Sequence, residues 1–177
     1  DHVAAAAQLI NNAKRPLALV GHGVELGGAQ NELVEFLEKA DIPAARTLLG
    51  LSALPSDHPL NVGMLGMHGS YAPNVMTQQA DVIIAIGMRF SDRVTGRLDT
   101  YAKQAKIIHL DIDNVEIDKN VKTDVSVVGD CKMSLPAITR LLNKNEHTEW
   151  IESFKPYLQQ ETEKVIEPAI HPKEGPL

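Results

Sequence analysis

The chain has 177 residues, enough for one domain with a short tail. At 44% apolar it can bury a core, and its net charge of −6 without a basic stripe excludes an ordinary nucleic-acid binder. One cysteine, Cys131, rules out an internal disulfide, makes a cysteine metal site a poor reading and fits a reducing, cytoplasmic setting. No targeting segment is visible, and the apolar runs are about a strand long, short of the roughly twenty residues that span a membrane. Asp1 is not preceded by methionine and Lys173–Leu177 reads like an interrupted linker, so both ends are expected to lie inside a longer protein.

The alanine-rich stretch 3–13 predicts a helix. Pro16–Val20 is an unbroken apolar run, the mark of a strand covered on both faces, and it stops at Gly21-His22-Gly23. Leu33, Phe36, Leu37 and Ala40 give helical spacing over 28–40, and Ile42–Thr47 is a short strand. A looser region rich in glycine and proline runs from Gly50 to Gly69, followed by a helix over about 72–80. Asp81–Ile86 is the strongest buried strand, ending at Gly87. A polar stretch, Arg89–Arg97, precedes strands at Lys106–Ile112 and Asp124–Val128. Helices are expected over 131–143 and about 147–165, and the tail beyond 166, with Pro168, Pro172 and Pro176, as a linker. Strands alternating with helices predict a doubly wound α/β domain with a parallel sheet between two helical layers.

In such a fold ligands sit beyond the carboxyl ends of the strands. Those ends carry Gly21-His22-Gly23, Thr47-Leu48, Gly87-Met88-Arg89, Asp111-Ile112-Asp113 and Gly129-Asp130. Glycine lets a ligand approach the backbone, and helix N-termini suit phosphate. The usual dinucleotide fingerprint fails, because Leu26 stands where its third glycine would fall and the second strand ends in Arg46 and Thr47 rather than an acid. From this motif alone a plain tight turn is the better reading, and Arg46 gives thin support for a 2′-phosphate and hence NADP. Asp111 and Asp113 could accept from ribose hydroxyls or, equally well, cap the turn starting near Val115. Arg89–Arg97 packs three arginines into a loop placed where ligands bind, a fork geometry that suits diphosphate, unless Asp92 merely pairs with one of them. In Gly63–Gly69, two methionines and His68 lie among three glycines, and thioethers pack well against flat rings. His109 and His58 earn no catalytic role, and no nucleophile elbow, Walker loop or Cys–His pair appears.

These segments together resemble a known family. Thr47-Leu48-Leu49-Gly50, Met64-Leu65-Gly66-Met67-His68-Gly69, Gly87–Gly96 with its Arg-Phe-x-Asp-Arg-Val-Thr-Gly string, and His109–Asp113 leading to Glu116–Asn120 are similar to the central domain of the large catalytic subunit of acetolactate synthases. The resemblance runs nearly end to end. It implies a Rossmann-like, mostly parallel six-stranded sheet over residues 1–166, with 167–177 starting a linker to a further domain. It implies FAD in this domain in a structural role, and thiamine diphosphate with Mg2+ on flanking domains of the same chain. The parent would be a homodimer or tetramer with a small regulatory subunit. It would condense pyruvate with a second 2-keto acid, losing CO2, on the route to branched-chain amino acids. Carried over by position, Gly21, Gly23 and Arg89 would face the FAD phosphate and ribose region, and His22 and Gly87 would also bind the cofactor. Thr47, Leu48, Leu65, Gly66, Met67 and His68 would line the flavin side, with Arg93 and Val94. Asp111, Ile112, Gly129 and Asp130 would hold the adenosine end, and Met67, Asp92 and Arg93 would lie near the substrate channel. No catalytic residue and no metal ligand falls on this chain.

Two departures from the family pattern stand out: Ser91 where an aspartate is common, and His22 where a small residue is usual. Other readings are the middle domain of a pyruvate oxidase or glyoxylate carboligase, and a stand-alone nucleotide-binding module.

Overall fold

A computed structural model describes residues 1–171. In chain order it contains α1 (His2–Asn12), β1 (Pro16–Val20), α2 (His22–Leu26), α3 (Gln30–Ala40), β2 (Ala44–Arg46), β3 (Asn61–Met64), α4 (Tyr71–Thr77), β4 (Val82–Ile86) and α5 (Asp92–Thr95). These are followed by β5 (Lys106–Asp111), β6 (Val125–Val128), α6 (Cys131–Leu141), α7 (Thr148–Glu152), α8 (Lys155–Glu161) and α9 (Glu167–Ile170). Single 3-10 segments lie at Leu48–Ala53 and Asn114–Glu116.

The strands form one six-stranded sheet, parallel at every pairing, in the order β3-β2-β1-β4-β5-β6. Alternate side chains serve opposite faces. Ala18 and Val20 of β1 with Ile84 and Ile86 of β4 pack under α1, α3 and α6, alongside Ile10, Phe36 and Leu135. Leu17, Leu19, Ile83 and Ala85 pack on the other side with Met76, Trp150 and Phe154. Both central strands are therefore wholly buried, which is why their sequences are unbroken apolar runs. Pro16 sits at the first position of its strand, where its missing N–H costs nothing, and its carbonyl accepts from Trp150 Nε1 at 2.7 Å.

The structure departs from the sequence expectations in three places. β3 lies inside the stretch read as loose, and Gly63 (φ +110°) together with half-buried Asn61 hides its pattern. The segment after β1 is a short helix, α2, set off from α3 by Gly27 and by Gly28 (φ +60°). The single helix expected over 147–165 is interrupted. Pro156 cannot donate to the preceding turn, so α7 ends and α8 starts afresh with the proline in its first turn. Pro168 does the same at the start of α9, after a π turn at Thr162–Ile166. Residues 167–170 of the expected linker are thus helical, and 172–177 lie outside the described residues.

Candidate functional site

The strand order reverses between β1 and β4. Connections from these neighbours leave in opposite directions, which opens a crevice at their carboxyl ends. Here the crevice is a cleft of about 450 Å3, lined by Gly23, Leu26 and Gly27 of the α2 region, Gly87 and Arg89 after β4, Asp111, Ile112, Asp113 and Glu116 after β5, and Asp130 and Cys131 at the start of α6. Its size lies within the roughly 300–1,000 Å3 typical of small-molecule sites. The floor is backbone. A Cβ on Gly23 would stand 2.7 Å from Gly87 Cα, and Gly23 N–H donates to the Gly87 carbonyl at 2.9 Å. Gly87 itself has φ +57°, where a side chain would be strained.

The carboxylates of this cleft are ordered by the backbone. Asp111 Oδ1 accepts from Asp113 N at 2.9 Å, Asp113 Oδ1 accepts from Val115 N at 2.9 Å, and Asp130 Oδ1 accepts from Lys132 N at 2.8 Å. Asp113 and Asp130 are thus N-caps, of the 3-10 turn and of α6. The Arg89 side chain is largely exposed, its Nε 3.6 Å from Glu116 Oε1, which Lys119 Nζ also reaches at 3.0 Å. Burial, with the nearby charges of Asp130 and Asp111, pushes the Cys131 thiol up to about 12. It is no nucleophile at neutral pH.

A second cleft of about 320 Å3 is lined by Leu65, Gly66 and Met67, by Asn74, Thr77 and Gln78 of the α4 region, by Asp92–Gly96 around α5, and by Tyr101. The two segments singled out in the sequence for different reasons meet here: Met67 N–H donates to the Arg93 carbonyl at 2.7 Å. The Asp92 carboxylate caps the Arg93 amide at 2.9 Å and forms no ion pair among the described residues, whereas Arg97 pairs with Asp99 at 2.6 Å. Burial raises the Tyr101 hydroxyl above its usual range.

Of the expected site residues, Gly23, Gly87, Arg89, Asp111, Ile112 and Asp130 line the first cleft, and Leu65, Gly66, Met67, Asp92, Arg93 and Val94 line the second. Gly21, His22, Thr47, Leu48, His68 and Gly129 line neither, but sit close by. Gly21 packs against Gly87, with no room for a Cβ, and Gly129 N–H donates to the Asp111 carbonyl at 2.9 Å. Thr47 N–H donates to Val20 O at 2.9 Å, joining β2's end to β1's. His22 Nδ1 is 3.4 Å from Glu25, and His68 is exposed. Leu48, Met67 and Ile112 are 64%, 71% and 69% exposed, large apolar side chains left bare beyond the ends of β2, β3 and β5. Sequence reasoning did not single out Leu26, Gly27 and Glu116 of the first cleft, nor Asn74, Thr77, Gln78 and Tyr101 of the second. Glu116 stood in a segment already read as distinctive, whereas the others gave no local signal.

Arg46 does not face the clefts. It is buried, and its Nη1 donates to the carbonyls of Leu51 at 2.8 Å and Leu54 at 2.9 Å. His109 is also buried, with Nε2 2.8 Å from the Met88 carbonyl and its ring edge-on to Phe90 at 5.2 Å.

Residues 3–138 match the family model described as thiamine pyrophosphate enzyme, central domain. The chain belongs to this family of thiamine pyrophosphate enzymes. Within it, the chain is 48% identical over 151 residues to the probable acetolactate synthase large subunit of Methanocaldococcus jannaschii, covering 83% of this chain and 25% of that protein. It is 45% identical over 139 residues to the acetolactate synthase isozyme 2 large subunit of Escherichia coli, covering 78% and 25%. It is 43% identical over 138 residues to the chloroplastic acetolactate synthase 1 of Oryza sativa, covering 78% and 21%. The chain therefore spans about a quarter of the length of the curated relatives it matches. Among its described residues no group of three or more His, Cys, Asp or Glu could hold a metal, and no helix is long and apolar enough to cross a membrane.

Proposed function

We propose that this chain is the FAD-holding central domain of an acetolactate synthase large subunit. The observation that carries the reading is the cleft at the reversal of strand order, floored by Gly23 and Gly87 and walled by Arg89, Asp111 and Asp130. An extended dinucleotide fits that chemistry. Backbone glycine at the floor admits a diphosphate, the exposed Arg89 fork neutralises it, and Asp111 accepts from ribose hydroxyls. The bare Leu48 and Met67 side chains suit the face of a flavin ring, and Arg93 and Val94 lie beside Met67. Bound there, FAD serves as a structural element. The residues of this chain bind and orient it, and none is placed to move a proton for catalysis.

The reaction itself belongs to the parent subunit, with thiamine diphosphate and Mg2+ on flanking domains. The parent condenses pyruvate with pyruvate or 2-oxobutyrate with loss of CO2, and Met67, Asp92 and Arg93 border its substrate channel. It acts in the cytoplasm as a homodimer or tetramer with a small regulatory subunit, and residues 1–166 form the central domain with a linker beyond. The inward-turned Arg46 weighs against an NADP module, because this cation at the end of β2 already donates to two carbonyls.

The test is FAD titration of the full subunit followed by flavin fluorescence, alongside an assay for acetolactate from pyruvate with thiamine diphosphate and Mg2+. Stoichiometric FAD binding with acetolactate formation is expected. NADP binding in preference to FAD, or acetyl phosphate as the product, would refute the reading.

A further inference from the structure

Asn74, on the first turns of α4, touches one residue with both ends of its carboxamide. Its Oδ1 accepts from Gly66 N–H at 2.9 Å and its Nδ2 donates to the Gly66 carbonyl at 2.9 Å. Gly66 has φ +105°, and a Cβ there would stand 2.9 Å from the Arg93 carbonyl, so the loop passes α5 with no room for a side chain. The next amide, Met67 N–H, donates to that same Arg93 carbonyl at 2.7 Å. On either side, Leu65 N–H donates to Arg46 O at 3.0 Å and Ser70 N–H to Met64 O at 2.7 Å. The 64–70 loop is therefore hung between β2, α4 and α5, and among the described residues Gly66, at its centre, is held by Asn74 and by the Gly69 amide at 2.9 Å.

The helix that carries Asn74 is itself anchored from afar. The α4 N-cap residue, Ser70, makes no side-chain cap, and Glu161 of α8 supplies one instead, its Oε2 accepting from Tyr71 N–H at 3.1 Å. Asn74 is exposed, and none of its bonds reaches into either hydrophobic core. Its worth lies in the shape of the loop rather than in the stability of the fold.

We propose that Asn74 is a positioning residue that fixes the Leu65–His68 loop, and with it the Met67 side chain, against Arg93 in the geometry that receives the flavin. This rests on the FAD reading above. Without the carboxamide, Gly66 keeps its permissive backbone and loses two constraints, so the loop samples conformations in which Met67 leaves its place. A binding-competent state that is only partly populated weakens apparent affinity in proportion.

The experiment compares the full subunit with its Asn74→Ala and Asn74→Asp variants. The aspartate is nearly isosteric and keeps the acceptor for Gly66 N–H, but sets a carboxylate oxygen against the Gly66 carbonyl. Three readouts are taken: melting temperature, amide hydrogen exchange over the 65–69 peptide without FAD, and the dissociation constant for FAD. Both variants are expected to melt close to the wild type, to exchange faster over 65–69, and to bind FAD roughly tenfold more weakly, Asn74→Ala through the loss of two modest hydrogen bonds and Asn74→Asp through the loss of one and the repulsion that replaces it. Unchanged exchange over 65–69 in both variants would overturn the proposal, as would unchanged FAD affinity alongside faster exchange. If the wild-type subunit takes up no FAD, it is the FAD reading that fails, and the exchange comparison alone then decides whether Asn74 fixes the loop.

Discussion

Arg46 Nη1 donates a 2.9 Å hydrogen bond to the carbonyl oxygen of Leu54, eight residues further along the chain. With the Leu51 carbonyl at 2.8 Å, this ties the Leu48–Ala53 turn back onto the end of β2. Burial lowers the tendency of this guanidinium to hold its proton, although an arginine stays charged throughout the working range. Replacing Arg46 by Met strands two carbonyls and is expected to cost about 2–3 kcal/mol in urea unfolding. Nucleotide preference should not change. An Arg46→Met protein that loses NADP binding while keeping its stability would show that the side chain faces ligand.

Gly23 and Gly87 meet where the strand order reverses, and their closeness makes a second expectation. A methyl group on Gly23 would lie 2.7 Å from Gly87 Cα and 3.0 Å from Gly87 O, both backbone atoms of a buried strand end that cannot swing away. Gly23→Ala should force the first turn of α2 away from the end of β4, destabilising the domain by about 1–3 kcal/mol and reshaping the cleft. Gly28→Ala makes a useful contrast. No atom lies within 4 Å of a Cβ there, so its penalty comes only from φ +60°. Thermal unfolding of the two proteins, with FAD affinity for each, checks this: affinity should fall for Gly23→Ala alone.

What could be read from the sequence followed burial on both sides. Leu17–Val20 and Val82–Ile86 are apolar throughout because helices cover both faces, so their strands and the glycines ending them were visible. β3 was not, because an edge strand containing Asn61 and Gly63 has no such run. Of the expected site residues, Gly23, Gly87, Arg89, Asp111, Ile112 and Asp130 at strand ends line the first cleft and Leu65–Met67 with Asp92–Val94 line the second, whereas Gly21, His22, Thr47, Leu48, His68 and Gly129 line neither. Arg46 sits at such an end yet turns inward, which depends on a 3-10 turn folding back over it. Asn74 and Glu161 act on Gly66 and Tyr71 through contacts 8 and 90 residues away along the chain, and no local pattern encodes such a partner.

Cys131 borders the first cleft but should be chemically silent. With its thiol pushed up to about 12, first by burial and then by Asp130 and Asp111, the thiolate fraction at pH 8 falls roughly a thousandfold below that of a free cysteine. Iodoacetamide is expected to label the native chain slowly at pH 8 and the urea-unfolded chain rapidly. The same shift has a stability consequence. The unfolded thiol ionises near its ordinary value while the folded one keeps its proton, so the Cys131 contribution is complete below about pH 8 and is lost as pH rises towards 12. A Cys131→Ala protein should therefore lose less stability than the wild type between pH 8 and 10. Parallel curves would place the thiol in contact with solvent.

Asp124 gives the opposite dependence at the acid end. Burial would raise its carboxyl, but the Ile107 amide at 2.9 Å and Lys106 Nζ at 3.0 Å outweigh that and hold it below the usual carboxylate range. A depressed folded value means that the stability it gives is present above the unfolded carboxyl's pKa of about 4 and disappears as pH falls through the folded value. Asp124→Asn keeps an acceptor for the Ile107 amide and loses the charge that Lys106 meets. The melting temperatures of wild type and variant should differ at pH 6–7 and converge as the pH is lowered below about 4. The side chain is about a third exposed, so the gap at neutral pH is expected to be small and to shrink further in high salt. A gap that stays constant from pH 7 into the acid range would mean that the carboxylate's charge contributes nothing to β5, and that the Ile107 hydrogen bond alone holds the strand's entry.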